Sequence, residues 1–238
     1  MNSIKKISDK IQVFAIDIDG TLTENGNGTI YLPAVSKLRF LERLGFKVIF
    51  VTGRSSIEAY ILSIFCGTTR VAVGENGGVI TVGPQKDIVL ASKERCEEGY
   101  NILKKLMPNV NLKPVFPRKS EVVLARTFDM ATAQSILDEN RLELYLSDSK
   151  YAYHINQKGT NKATGLVHAL KLLNIAHGNV VAIGDSQTDV PLFERSAYSI
   201  ALAHSDDEVK SKANYVAVGK AGIGLSDAID HAFSKLLM

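Results

Sequence analysis

The chemically loaded positions of this chain are acids at the ends of apolar runs. Asp17 and Asp19 close the run VFAIDID and are followed by Gly20 and Thr21. A second run, VVAIGDS, leads into Asp185, with Asp189 close behind, and a third, KVIFVTGR, ends in Thr52, Gly53 and Arg54. Continuous branched apolar runs suit strands buried on both faces of a parallel sheet. In such a sheet ligands bind beyond the carboxyl ends of the strands. If these strands are neighbours, Asp17, Asp19, Asp185 and Asp189 share one small volume, where four carboxylates do not stay ionised without a cation. An all-oxygen set with no His or Cys beside it points to Mg2+. Mg2+ held this way commonly takes substrate phosphate as a further ligand, and a carboxylate next to it can attack phosphorus to give an aspartyl-phosphate. Phosphoryl transfer also needs a fixed cation and hydrogen-bond donors. Lys162, at a helix start after GTN, can supply the first; Thr52, the Gly53 N–H and the amides after Asp19 can supply the second.

The elements that must position these groups follow from periodicity. IQVFAIDI (11–18), KVIFVT (47–52) and RVAVG (70–74) read as strands. Between them lie two helices. One opens at Pro33 and stops at Gly45; the other carries a capping-box spacing, Ser55 to Glu58. This β-α-β-α-β opening predicts a doubly wound, mostly parallel α/β sheet. The rhythm changes near residue 80. GVITVG and KDIVLA read as a hairpin around Gly83-Pro84, and short strands with two helices follow to about 156. The first rhythm then returns with an amphipathic helix from Lys162, a strand at NVVAIGDS, short strands at YSIAL and NYVAV, and a closing helix over LSDAIDHAFSKLL. The expected organisation is a core domain of residues 1–82 and 157–238 with an α+β insert at 83–156.

Composition narrows the partners. In 238 residues, 45% are hydrophobic, enough for a sizeable core, and the net charge of +3 with scattered basic residues gives no reason to expect nucleic acid or membrane. Two cysteines exclude a disulfide scaffold and fit a reducing, cytoplasmic setting. No apolar stretch has the length of a membrane span, and MNSIKKISDK lacks the apolar region of a signal peptide. The five histidines show no metal-ligand spacing; His154 reads as a strand residue near the hinge, the others as surface or helix-end residues.

DIDGT (17–21), VTGR (51–54), KGTNK (158–162) and GDSQTD (184–189), in that order, resemble the haloacid dehalogenase superfamily of phosphatases over essentially the whole chain. The insert looks like that superfamily's larger α/β cap. The size and GENGG (74–78) look most like archaeal phosphoglycolate phosphatases and the wider sugar-phosphatase branch. The resemblance implies a Mg2+-dependent phosphomonoesterase acting on a small phosphorylated metabolite, 2-phosphoglycolate above all, as a monomer or homodimer. It implies Asp17 as nucleophile and Asp19 as general acid and base. Thr52 and Gly53 would bind the phosphoryl group, and Lys162 would neutralise it. Asp17, the Asp19 carbonyl, Asp185 and Asp189 would hold the metal, Asp189 directly or through water. Thr188 stands where many relatives carry Asn, so no amide contact is carried over there.

Each motif has a plainer counterpart. Two acids at a strand end also make turns or caps, GDSQTD also caps a helix, Glu75-Asn76-Gly77-Gly78 is a turn signature in any fold, and Lys158 competes with Lys162 as the cation. Arg118, in a loop of the insert, is solvated in the plain reading. In the sharper one it binds a substrate carboxylate, which a guanidinium fits bidentately. The rival functions are a sugar phosphatase, a phosphomannomutase-like phosphotransferase, and a receiver-type signalling domain. The last has about half this length and normally places its acid pair and phosphorylated Asp on different strands.

Overall fold

The computed structural model describes residues 11–24 and 28–237; the segment on which the absence of a signal peptide was read lies outside them. Eight strands form one sheet: β1 (Val13–Ile16), β2 (Lys47–Val51), β3 (Ala72–Gly74), β4 (Val79–Gly83), β5 (Lys86–Val89), β9 (Val180–Gly184), β10 (Tyr198–Ala201) and β11 (Tyr215–Val216). Their order is β11-β10-β9-β1-β2-β3-β4-β5, parallel from β11 to β3 and antiparallel through β4 and β5. A second, antiparallel sheet has the order β6-β8-β7, from β6 (Val122–Leu124), β7 (Leu144–Asp148) and β8 (Tyr153–Gln157).

Side-chain alternation along β1 builds both faces of the large sheet. Phe14 and Ile16 face helices α1 (Leu32–Arg43), α2 (Ser56–Cys66) and α8 (Ala221–Ala232). Val13 and Ala15 face α5 (Lys162–Leu172) and the short α6 (Val190–Glu194) and α7 (Asp207–Ser211). A strand covered on both faces must be apolar throughout, which is why β1 could be read as a continuous run. The small sheet has its own core. Ile155, Leu144 and Leu124 pack on Cys96 and Leu103 of α3 (Lys93–Leu106) and on Ala133 and Leu137 of α4 (Met130–Glu139).

The expected boundary at 82/83 cuts a hairpin. Strand β5 pairs with β4 and forms the edge of the large sheet, so the chain leaves that sheet after Val89. Local pattern could not show this, because a hairpin reads alike on either sheet. The closing helix begins at Ala221, ahead of the expected Leu225. Gly222 permits it: a Cβ there would lie 2.1 Å from the Tyr31 Cβ.

Candidate active site

Strand register brings the motifs together. In the sheet β1 lies between β9 and β2, with Ile16 opposite both Ile183 and Phe50. Asp17 therefore leaves its strand level with the ends of its two neighbours, and its N–H still bonds the Ile183 carbonyl. Asp17, Asp185 and Asp189 are buried, with carboxylate oxygens within 4.8 Å of one another. Thr52, just past β2, is also buried; its N–H bonds Val73 O, and its hydroxyl oxygen accepts the Arg54 N–H at 3.1 Å.

Lys162 is the first residue of α5 and only 2% exposed. A cation at a helix N-terminus opposes the helix dipole, so a buried lysine there needs strong compensation. Its Nζ donates to Asp17 Oδ1 at 2.7 Å and to Asp189 Oδ1 at 2.6 Å. These two carboxylates hold the ammonium pKa above its ordinary value even though burial pushes it down. Conversely, burial pushes the Asp17 carboxyl up, Lys162 pulls it down, and Asp189 and Asp185 raise it further. A reciprocal cap sets the lysine in place: Asn161 Oδ1 accepts the Thr164 N–H, and Thr164 Oγ1 accepts the Asn161 N–H. Lys158, the competing cation, pairs with exposed Asp138 instead.

Asp189 is fully enclosed. Its Oδ2 accepts from the N–H groups of Asp185 and Ser186 and from the Ser186 hydroxyl. Gly184 makes room, since a Cβ there would sit 2.4 Å from the Asp189 Cγ. Asp185 Oδ1 accepts from Thr21 Oγ1, and its Oδ2 faces His204 Nε2 at 3.2 Å. That contact corrects the reading of His204 as an ordinary surface or helix-end residue. Gly20, at φ +80°, lets the chain pass over Asp185; a Cβ there would meet its Oδ2 at 2.6 Å.

The Asp19 carboxylate does not join the cluster, which corrects the expectation that all four acids share one volume. It turns to Arg54, whose Nε and Nη2 each donate to it at 2.7 Å. Asp17 and Asp19 thus avoid mutual repulsion by taking separate cations, Lys162 and Arg54. Arg54, noted in the sequence at the end of its strand and in VTGR but given no role there, is thus the partner of Asp19.

From Arg54 a chain of charges leads to the insert. Arg54 Nη1 donates to Glu58. Arg118 Nη1 lies 3.5 Å from Glu58, and its Nε lies 3.3 Å from Glu121. Arg118, with 9% of its side chain exposed, therefore lies between two acids and is not a freely solvated residue. The turn at 75–77 joins core and insert as well. Glu75, Asn76 and Gly77 all have positive φ, and the Glu75 carboxylate accepts from the Lys119 and Ser120 N–H groups and the Ser120 hydroxyl. Burial nevertheless raises the Glu75 pKa.

The three carboxylates of the cluster fit a hard divalent ion in donor type, closeness and burial, so Asp17, Asp185 and Asp189 could hold one. An acid beside a buried ammonium, with hydroxyl and amide donors at the next strand end, can support phosphoryl transfer.

Comparison with known proteins agrees with this architecture. The family model of haloacid dehalogenase-like hydrolases matches residues 14–113 and 122–229. The chain belongs to that family. It is 52% identical to the phosphoglycolate phosphatase of Nitrosopumilus maritimus over 93% of this chain and 96% of that one, and 36% identical to the phosphoglycolate phosphatase of Methanosarcina mazei over the same shares. Within the family, then, the protein is a phosphatase. A crystal structure of a Thermoplasma acidophilum protein superposes with a TM-score of 0.79 at 22% identity, covering 93% of this chain and 97% of that one. A subclass IIB sugar phosphatase superposes at 0.75 and 17%, covering 92% and 98%. Both likenesses concern the fold. Among the described residues no helix is long and apolar enough to cross a membrane.

Proposed function

We propose that the chain is a Mg2+-dependent phosphomonoester hydrolase that works through an aspartyl-phosphate on Asp17, with 2-phosphoglycolate as substrate. The observation that carries the mechanism is the pairing of buried Asp17 with Lys162, 2.7 Å apart, at the meeting point of three strand ends. The substrate rests on the name of the relative at 52% identity.

In this reading Mg2+, when bound, neutralises the carboxylates and the phosphoryl oxygens. The Asp17 Oδ2, which has no protein hydrogen bond among the described residues, attacks phosphorus, and the bond from phosphorus to the leaving oxygen breaks. Asp19 gives that oxygen a proton. Because Arg54 engages both Asp19 oxygens, one must leave the guanidinium for this step. Thr52 O–H and Gly53 N–H donate to the transferring group, and Lys162 offsets its charge. Asp19 then takes a proton from water, whose oxygen attacks phosphorus, releasing phosphate and restoring Asp17. Arg118, whose Nε and Nη1 are buried without hydrogen-bond partners, receives the substrate carboxylate.

The test is phosphate release from 2-phosphoglycolate by wild type and Asp17→Asn, with Mg2+ and in excess chelator. Release is expected only from wild type with Mg2+, while circular dichroism shows the variant folded. Turnover by a folded Asp17→Asn protein would overturn the mechanism. Release from other phosphoesters but not from 2-phosphoglycolate would overturn the substrate.

A further inference from the structure

Five side-chain atoms among the described residues are buried without a hydrogen-bond partner, and four of them converge. They are Asn76 Oδ1, Arg118 Nε and Nη1, and Glu121 Oε1. Native proteins rarely leave such groups unpaired, and unpaired ones are costly. The Glu121 carboxylate holds the group together. Its Oε2 accepts from Asn76 Nδ2 at 3.2 Å and faces His154 Nδ1 at 3.1 Å, while its Oε1 lies 3.3 Å from Arg118 Nε without hydrogen-bond alignment.

This arrangement fixes the Asn76 amide. A carboxylate accepts, so the amide gives Glu121 its NH2 and turns its carbonyl away. That carbonyl lies over the phosphate-binding loop, and a Cβ on Gly53 would be 3.2 Å from Asn76 Oδ1. The turn is pinned there, because Asn76 N–H bonds Thr52 O and Glu75 N–H bonds Arg54 O. Asn76 also holds a left-handed backbone, φ 51°, which Asn tolerates better than most residues. Asn76, buried and held at positive φ against Gly53, thus carries an unpaired acceptor, and Arg118, joined to it through the Glu121 carboxylate, carries unpaired donors.

An unpaired acceptor asks for a donor from the ligand, and neither a phosphate dianion nor a carboxylate has one. A hydroxyl does. We propose that Asn76 is a specificity-determining residue: its carbonyl accepts a hydroxyl of the leaving group while Arg118 holds a neighbouring carboxylate or hydroxyl oxygen. The site therefore takes, beside a plain phospho-acid, the monophosphates of 2-hydroxy acids and polyols. The inference rests on the phosphatase reading above.

A matched pair of substrates tests it: 3-phosphoglycerate and 3-phosphonooxypropanoate, which differ by the 2-hydroxyl. Wild type is expected to favour the hydroxylated member in kcat/KM by about 10- to 100-fold. Asn76→Gly, which keeps the left-handed backbone accessible, should reduce that ratio to about threefold or less. Equal kcat/KM on the two by wild type, or a ratio unchanged in Asn76→Gly, would overturn the proposal while leaving the phosphatase reading intact. No phosphate release from any ester by wild type would overturn both.

Discussion

Replacing Lys162 by Met keeps most of the side-chain volume and removes only the charge. In the metal-free protein this strands Asp17 and Asp189, both buried and both bonded to the lost ammonium. Removing one partner of a buried ion pair costs about 3–5 kcal/mol. The protein has one escape, which is to protonate a carboxyl. From an unfolded value near 3.9, protonation at pH 7 costs roughly 4 kcal/mol at 1.36 kcal/mol per pH unit, and at pH 5 roughly 1.5 kcal/mol. The destabilisation in chelator should thus be at most about 4 kcal/mol at pH 7 and should shrink below half of that at pH 5. For a chain of this length, each kcal/mol is worth about 2–4 °C in Tm, so the expected drop at pH 7 is on the order of 10 °C. Mg2+ should restore most of it by occupying the acids. Activity should stay at least about 100-fold down at saturating Mg2+, because the fixed cation opposite the phosphoryl group is gone. The assay is thermal melting at both pH values, with chelator and with Mg2+, beside phosphate release. A Lys162→Met protein as stable as wild type in chelator at pH 7 would refute the claim that Lys162 neutralises these acids.

Three other perturbations probe separate parts of the site. Gly20→Ala forces a side chain into positive φ, at roughly 1–2 kcal/mol, and drives a Cβ against Asp185; Mg2+ affinity read by calorimetry should fall more than stability does, and unchanged affinity would contradict the placing of Asp185. Arg54→Gln removes the guanidinium that positions the Asp19 carboxylate, so hydrolysis of an alkyl phosphate should slow by about 10- to 100-fold while an activated aryl phosphate, which needs little help from an acid, slows far less. Equal losses on both would contradict the assigned role of Asp19. Asp17 and Glu75 have pKa values raised by burial, so their folded forms favour the proton: the stability they contribute is full at low pH and lost as pH rises through their folded values. The metal-free protein should therefore weaken as pH climbs out of the carboxylate range, and the Tm gain from Mg2+ should grow from pH 5 to pH 8; a gain that shrinks over that range would contradict it.

Legibility in the sequence divided along physical lines. Strands β1, β2 and β9 were readable because double-sided burial forces an unbroken apolar run, and the acids after β1 and β9 stood out because a charge at such an end is costly unless used. The Ser55–Glu58 capping box and the helix start at Lys162 were readable because such signals are local. Lateral pairing was not. No spacing rule connects Asp19 to Arg54, His204 to Asp185, or Arg118 to Glu58 and Glu121, since these contacts depend on how elements distant in the chain come to lie side by side. The same limit misplaced the insert boundary: the β4–β5 hairpin has the same local pattern whichever sheet it extends. GENGG read as a turn, but its burial and its hold on Ser120 through Glu75 emerge only once the insert is folded against the core.

The central claim is that Asp17 takes the phosphoryl group. Borohydride reduction of enzyme quenched during turnover converts an aspartyl-phosphate to homoserine, which peptide mass spectrometry locates by residue. The account predicts homoserine at position 17, dependent on Mg2+ and on substrate. Steady turnover with position 17 unmodified, or with the modification at 19, 185 or 189, would contradict it.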